Sequence, residues 1–256
     1  MSVLPSVAAP PAWKATVGAF KPDVHPRLAP CKLEYSLSWN GALHAGRAAV
    51  EFGKKDKRYS KFYTVQAYGR STGTAATLFP YVFTYTSFMG KNSHRPLVFV
   101  SYEKDKKRIE NLKNKYRKSE VQHSLTSKKI AGGKASTKSH VFSMTNVHDP
   151  LSAIMYIRAR ALKNGDKINL CLHPFKTPQY ATITVLGREK HAGRSCIKLD
   201  LKLSNIDVKS HALKNYKKMK KATLWLSDDK ERILIELRSQ VFIGDVRMVL
   251  TKKTPL

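Results

Sequence analysis

Acidic residues are scarce in this sequence: 18 Asp and Glu stand against 47 Lys and Arg, a formal net charge of +29. That imbalance implies affinity for anionic surfaces such as nucleic acid, anionic lipid, lipopolysaccharide or acidic glycan, and says nothing about fold. Long apolar runs are missing too. No stretch reaches the about 18 apolar residues a spanning helix needs, so no transmembrane segment is expected. Cysteine is limited to Cys31, Cys171 and Cys196, with no CxxC. The odd number leaves at least one thiol unpaired within the chain. Cys171 and Cys196 fall in expected strands; they pair if those strands are neighbours and otherwise serve as small buried hydrophobes. A Walker loop and a GxGxxG run are absent, which removes the Gly-rich phosphate cradles. No linker rich in Gly, Pro or Ser divides the chain, so it reads as one domain, residues 31–256, behind a Pro/Ala-rich arm, residues 1–30.

What is present is β-patterning. Hydrophobic residues make up 42% of the chain, enough for a substantial core. Ile197, Leu199, Leu201 and Leu203 alternate with Lys198, Asp200, Lys202 and Ser204. Ile233, Ile235 and Leu237, then Val246, Met248 and Leu250, repeat that spacing. Side chains two apart share one face of a strand, so each run lays an apolar face on a core. Turns at Ser227–Lys230 and Gly244-Asp245 join the last of these into an antiparallel meander. Cys31–Trp39 reads as the first core strand, with Trp13 as the anchor of the arm before it. Ala75–Phe88 reads as either a strand or a short helix, with a break at Pro80. Lys104–Thr126 reads as two strands joined by a charged bend, and Ser127–Ser139 as a flexible tip. One helix is expected, about 150–162. Asp149 is its N-cap, Pro150 occupies the first turn without losing a hydrogen bond, and Gly165 follows its end.

Candidate chemistry is thin. Asp228 and Asp229 are adjacent in a turn, where Asp bonds nearby amides, so they do not form an acid–base pair. His148-Asp149 has no nucleophile marked beside it. Cys171-x-His173 puts two ligand types on one strand face, but structural zinc takes four and no second pair has the spacing. The nine histidines are dispersed, and neither a metal nor a cofactor is expected. Two basic runs stand out, Lys104–Lys118 and Lys209–Lys221. They are either solvated faces or an anion site. Tyrosines near them, Tyr102, Tyr116 and Tyr216, suit stacking on nucleic acid, yet no RRM, OB, KH or helix-turn-helix signature accompanies them. Ser2 to Pro10 looks like the tail of a secretory signal, with small residues at Val7-Ala8-Ala9 but without a charged n-region.

The run Val147-His148-Asp149-Pro150-Leu151-Ser152-Ala153-Ile154-Met155-Tyr156-Ile157-Arg158 resembles the D-x-L-S-A-x-Y-x-x-R signature of the bacterial DUF3108 family. Tyr35 to Trp39 with Ala45-Gly46, then Thr223-Leu224-Trp225-Leu226-Ser227-Asp228-Asp229, then Phe242-Ile243-Gly244 match in the same order. The resemblance spans about Cys31 to Leu250. It implies an exported envelope protein, mainly β, built as a curved antiparallel sheet or open β-barrel with an inserted helix. It implies no catalytic residue, and the high basicity departs from the family.

These readings combine into a non-enzymatic protein of the periplasm or cell envelope. Its sheet is expected to bind an apolar or amphipathic anionic ligand, a lipid or lipopolysaccharide, with lysines on the head group. The alternatives are a polyanion or nucleic-acid binder and a hydrolase of acidic glycan. Expected ligand-binding residues are Arg158, Arg160, Lys217, Lys218, Lys220 and Lys221. Arg158, the charge in an apolar helix, is expected to pair with Asp149 or Asp228.

Overall fold

The computed structural model describes residues 10–20, 28–54, 60–217, 221–241 and 244–256. Eight strands come first: β1 (Cys31–Trp39), β2 (Leu43–Phe52), β3 (Phe62–Ser71), β4 (Val82–Gly90), β5 (Pro96–Lys104), β6 (Arg108–Tyr116), β7 (Glu120–Lys129) and β8 (Ser136–Ser143). The short β9 (Val147–His148), β10 (Lys167–Leu172), β11 (Gln179–His191), β12 (Arg194–Ile206) and β13 (Leu213–Asn215) follow. The chain closes with β14 (Lys221–Ser227), β15 (Leu234–Val241) and β16 (Gly244–Pro255). A short helix α1 (Gly73–Leu78) precedes β4, and α2 (Pro150–Ala159) follows β9.

The strands form one 16-stranded open sheet, ordered β8 to β1, then β16, β15, β14, β12, β11, β10 and β9, with the short β13 paired to the end of β12 beside that path. Every ladder is antiparallel except β9–β10, which is parallel. Within β1–β8 and within β9–β12 each strand pairs with the next in sequence, the step from β8 to β9 crosses from one edge of the sheet to the other, and the β1–β16 pairing joins the first strand to the last. The sheet curls without closing into a barrel. Strand alternation supplies its filling: Cys31, Leu33 and Tyr35 of β1 point inward, as do Val121, His123 and Leu125 of β7. Phe99, Met89, Phe142 and Met155 are completely buried among them.

Helix α2 packs against β3 and β4 in one half of the sheet and β9 and β10 in the other, so it bridges the curl. Its N-terminus is a capping box. Asp149 Oδ1 accepts the Leu151 and Ser152 amides, both at 2.8 Å, and Ser152 Oγ accepts the Asp149 amide at 3.0 Å. The second carboxylate oxygen takes the Ser87 hydroxyl of β4 at 2.5 Å, fastening the helix to the opposite half. The helix stops at Ala159, short of the expected Leu162, because Arg232 substitutes for further turns. Its guanidinium donates to the carbonyls of Arg158 and Ala161, each at 3.2 Å, and to that of Arg160.

Several boundaries move from the sequence expectation. Ala75–Phe88 is both things: α1, a break at Phe79-Pro80, then β4. The tip after β7 is only residues 130–135, because Ser127–Lys129 keep their pairing with Arg108–Glu110. The β11–β12 turn is a tight one, Ala192-Gly193, both with positive φ of 48° and 74°. All three cysteines are buried and free, and β11 lies between the strands of Cys171 and Cys196, so these two are not neighbours. Asp229 makes turn chemistry as expected, accepting the Ser227 hydroxyl and the Glu231 and Arg232 amides. Trp13 anchors the arm: it is buried, donates to the His211 carbonyl at 2.9 Å and packs on Tyr180.

Candidate functional site

The register of the first half places several connections at one end of the sheet. Val82 pairs with Arg70 and Lys104, Lys104 with Ile109, and Arg108 with Lys129. The α1 tip, the β5–β6 turn and the β7–β8 turn are therefore neighbours, and the Ile130 amide donates to the Lys107 carbonyl at 2.9 Å. At this end a cleft of about 450 Å³ opens between the inner face of β4–β7 and the segment after β10. Tyr81, Tyr85, Phe175 and Tyr216 give it aromatic walls, Ser101 and Leu112 part of its floor, and Asp105, Arg108 and Lys176 its rim. The two basic runs thus meet: Arg108 lies in one, and Tyr216 precedes Lys217 in the other.

Two carboxylates face each other inside. Glu103 and Glu110 are directly paired across β5–β6 and both line the cleft. Each is taken up by neighbours. Glu103 accepts the hydroxyls of Tyr81 at 2.9 Å and Tyr85 at 3.2 Å. Burial and the Glu103 charge push both phenols up, so they stay protonated donors. Glu110 accepts Lys176 at 2.7 Å and Arg108 at 3.4 Å. Asp105 bonds the amides of Lys107 and Arg108, which lowers its pKa. An acid–base mechanism needs one carboxyl that can exchange a proton with substrate, and here both members of the pair are engaged in fixing the cleft walls.

Behind the cleft, side chains bridge the gap between the sheet halves. Asn114 Nδ2 and the Tyr116 hydroxyl of β6 both donate to the His173 carbonyl at 2.8 Å. That fixes the Asn114 amide, so its Oδ1, 2.8 Å from His123 Nδ1, accepts a proton from it. His123 therefore carries its lone pair on Nε2. His140 Nε2 and His173 Nε2 are 3.0 Å apart, one donating to the other. The three rings lie within 24–30° of parallel, His123 stacked 4.3 Å from His140. Their nearest ligand atoms are within 4.8 Å of one another, so this trio is where a metal would be sought. A metal sits in the plane of an imidazole, along its lone pair. Stacked rings do not bring three lone pairs to one point, so ligation requires the rings to turn out of their stack. What the arrangement provides as it stands is a neutral polar lock. Burial depresses His173 to about 3 and His123 to about 4, with the neighbouring rings adding to it.

The sequence missed both the cleft and this trio. The histidines are 17 and 33 residues apart in pairs, His123 to His140 and His140 to His173, and only the fold assembles them. Their legible signals were the inward position of His123 between Val121 and Leu125 and the Cys171-x-His173 spacing, although His173 lies just past the end of β10 and meets two histidines rather than Cys171. Of the expected ligand residues, Lys217 is exposed beside the cleft wall and Lys221 is exposed at the start of β14. Lys218 and Lys220 lie outside the described residues. The arginines sit elsewhere. Arg158 is 2% exposed and donates Nε and Nη2 to the Glu231 carbonyl at 3.0 and 2.7 Å. Its expected acids are otherwise occupied, Asp149 in the cap and Asp228 with Arg188 at 3.0 Å. Arg160 lies over the Tyr156 ring, 5.6 Å from its centre.

Comparison with known proteins adds a family and a fold. The model of a family described as "Protein of unknown function (DUF3108)" matches residues 34–251. No curated protein matches the sequence. Among solved structures, a beta-barrel-like protein of domain of unknown function DUF1849 from Brucella abortus superposes with a TM-score of 0.58 at 12% identity, covering 90% of this chain and 99% of that one. The Mycobacterium tuberculosis lipoprotein LppX gives 0.25 at 10% identity, covering 88% and 87%. A protein with a YmcC-like fold from Bacteroides fragilis gives 0.32 at 9% identity, covering 91% and 100%. The first of these shows a shared barrel-like fold; the overlaps with the other two are too slight to carry an argument.

Proposed function

The chain belongs to the DUF3108 family, and from that premise we propose that it is an exported, non-enzymatic envelope protein that binds an amphipathic anionic ligand in the cleft. One observation carries this reading: the cleft opens where the two basic runs converge, with aromatic walls inside, Arg108 and Lys176 on its rim, and the exposed Lys217 next in sequence to the lining Tyr216. Tyr85, Phe175 and Leu112 offer surface to an apolar part; the rim cations offer charge to a phosphate or carboxylate head group. The volume is within the usual range for small-ligand sites, about 300–1,000 Å³. It suits a single chain or a head group better than a whole lipid, because core side chains and α2 fill the rest of the curl. The expectation that the sheet binds the ligand is accordingly narrowed to this one end. Binding without catalysis is supported by the engaged carboxylates. Export rests on the small residues at Val7-Ala8-Ala9, which lie outside the described residues, and on what the family resemblance implies.

The test is native mass spectrometry of delipidated protein offered single-chain anionic amphiphiles, such as lysophosphatidylglycerol. Wild type is expected to retain one molecule. Ser101→Leu, which enlarges a residue on the cleft floor, is expected to lose it. Retention unchanged in that variant, or none by wild type, overturns the assignment.

A further inference from the structure

We infer that the cleft-bearing end of the sheet docks on the surface of an anionic lipid bilayer. The inference goes beyond a ligand in the cleft and does not require the cleft to be filled. It starts from where apolar side chains are left in water. Of the ten exposed large hydrophobic residues among those described, six lie at this end: Leu43, Leu78, Phe79, Val82, Ile130 and Leu213. Phe79 is 75% and Leu78 58% exposed, at the tip where α1 breaks before Pro80. A single exposed leucine needs no explanation, but six gathered on the rim of one end do. Register fixes the gathering. Leu43 opens β2 and Val82 opens β4, Ile130 follows the end of β7 and bonds Lys107, and Leu213 opens β13, three residues before the cleft-lining Tyr216.

Charge says what covers them. The β5–β6 turn exposes Lys104, Lys106 and Lys107; the β7–β8 turn exposes Lys128, Lys129 and Lys134. Lys214, Lys217 and Lys221 are exposed on the other side of the cleft. The acids among them are tied down: Asp105 by two backbone amides, Asp207 by Lys214 at 2.7 Å. Apolar residues interleaved with lysine are unlike the core of a protein–protein patch, where lysine is depleted. They match an interfacial membrane anchor, in which Phe and Leu enter the head-group boundary while Lys meets anionic head groups. No helix among the described residues is long and apolar enough to cross a bilayer, and the rim calls only for surface contact.

Vesicle flotation tests this with the full chain. Wild type is expected to float with vesicles of phosphatidylcholine mixed with phosphatidylglycerol, and not with phosphatidylcholine alone. Leu78→Asp/Phe79→Asp and Lys106→Glu/Lys107→Glu are each expected to weaken partitioning by tenfold or more, since each lysine near such a surface is worth about a fivefold change. Lys113→Glu/Lys115→Glu, with the same charge change on the outer face of β6, is expected to leave it within about threefold. Independently of folding defects in those variants, Phe79→Trp is expected to shift its fluorescence to the blue on the mixed vesicles, and Leu186→Trp is not. Equal flotation with both vesicle types, equal loss in the Lys113/Lys115 variant, or no shift at position 79 overturns the inference. Each of these outcomes leaves the retention of a single-chain amphiphile in the cleft untouched, so the two readings fail separately.

Discussion

Replacing His148 by Phe isolates one term in the acid stability of this fold. The His148 ring is completely buried, 4.4 Å from the Phe20 ring and 4.9 Å from Tyr156, and its Nε2 has no hydrogen-bond partner among the described residues. Burial depresses its pKa to about 3. In the unfolded chain it titrates near 6.5. As pH falls below about 6 the unfolded state takes up a proton that the folded state refuses, and stability is lost at about 1.4 kcal/mol per pH unit. His173, equally buried, adds a similar slope. Asp149 opposes them. Burial raises its pKa to about 6, so between about 4 and 6 the folded state holds a proton the unfolded state has released, and stability rises as pH falls. Two imidazoles against one carboxyl leave a net loss of about 1.4 kcal/mol per unit from pH 6 to 4, to which His123 adds. Urea unfolding at a series of pH values measures this directly. His148→Phe is expected to reduce the slope by about 1.4 kcal/mol per unit and to change stability at pH 7 little, since besides the unpartnered Nε2 it gives up only the 3.5 Å contact of Nδ1 with Ser152 Oγ. A slope identical to wild type means that His148 is protonated in the folded protein, and the burial argument is then wrong.

Three further outcomes follow from the packing. Phe142→Ala opens a completely buried site between His173 and His211 and is expected to cost about 3–5 kcal/mol in chemical denaturation. Arg232→Met strips the carbonyls after α2 of their donor; a loss of at least about 3 kcal/mol is expected, and a loss below 1 would show that water replaces the guanidinium. The cysteines are buried and their thiol pKa values raised by burial; Ellman's reagent is expected to label all of them in urea and none in the native state, and the native fold to survive reductant unchanged.

The sheet was legible in the sequence because its information is local. Period-two alternation in Cys31–Trp39 and Ile197–Leu203, a Pro after a capping Asp, and Gly-containing turns each act over a few residues, and a meander needs little more. Misjudged boundaries trace to long-range partners. Helix α2 ends early because Arg232, far along the chain, takes its carbonyls. Ser127–Lys129 look like a loop by composition and are held as strand by Arg108–Glu110. The cleft was invisible for the same reason. Its walls come from β4–β7, the segment after β10, and Tyr216 just beyond β13, and no stretch of sequence carries the distance between them. Arg158 misled because a charge in an apolar helix marks burial and pairing equally well, and here it donates to the Glu231 backbone carbonyl rather than to Asp149 or Asp228.

The surplus of positive charge takes a different meaning once acids are placed. Carboxylates here act largely as fasteners. Glu51 joins Lys54 and Tyr68, Glu236 joins His191 and Arg238, Glu231 joins Lys253, and Asp149 staples α2 to β4. Most of the lysines outnumber any acid within reach and stand on outer faces and turns. Surface charge of that kind contributes little to folding and costs some self-repulsion, so stability does not account for it. If binding used the whole basic surface, as for a nucleic-acid or polyanion binder, affinity for any polyanion would fall with salt according to the total number of contacts, and reversing Lys113 and Lys115 would weaken it as much as reversing Lys106 and Lys107. If it uses the end described above, the latter pair alone matters and a salt-resistant remainder persists, contributed by Phe79 and Leu78, whose burial in a bilayer does not depend on screening. Vesicle binding by wild type measured from low to high salt separates the two: a plateau that disappears in Leu78→Asp/Phe79→Asp assigns the charge to docking, and a decline to zero assigns it to the surface as a whole.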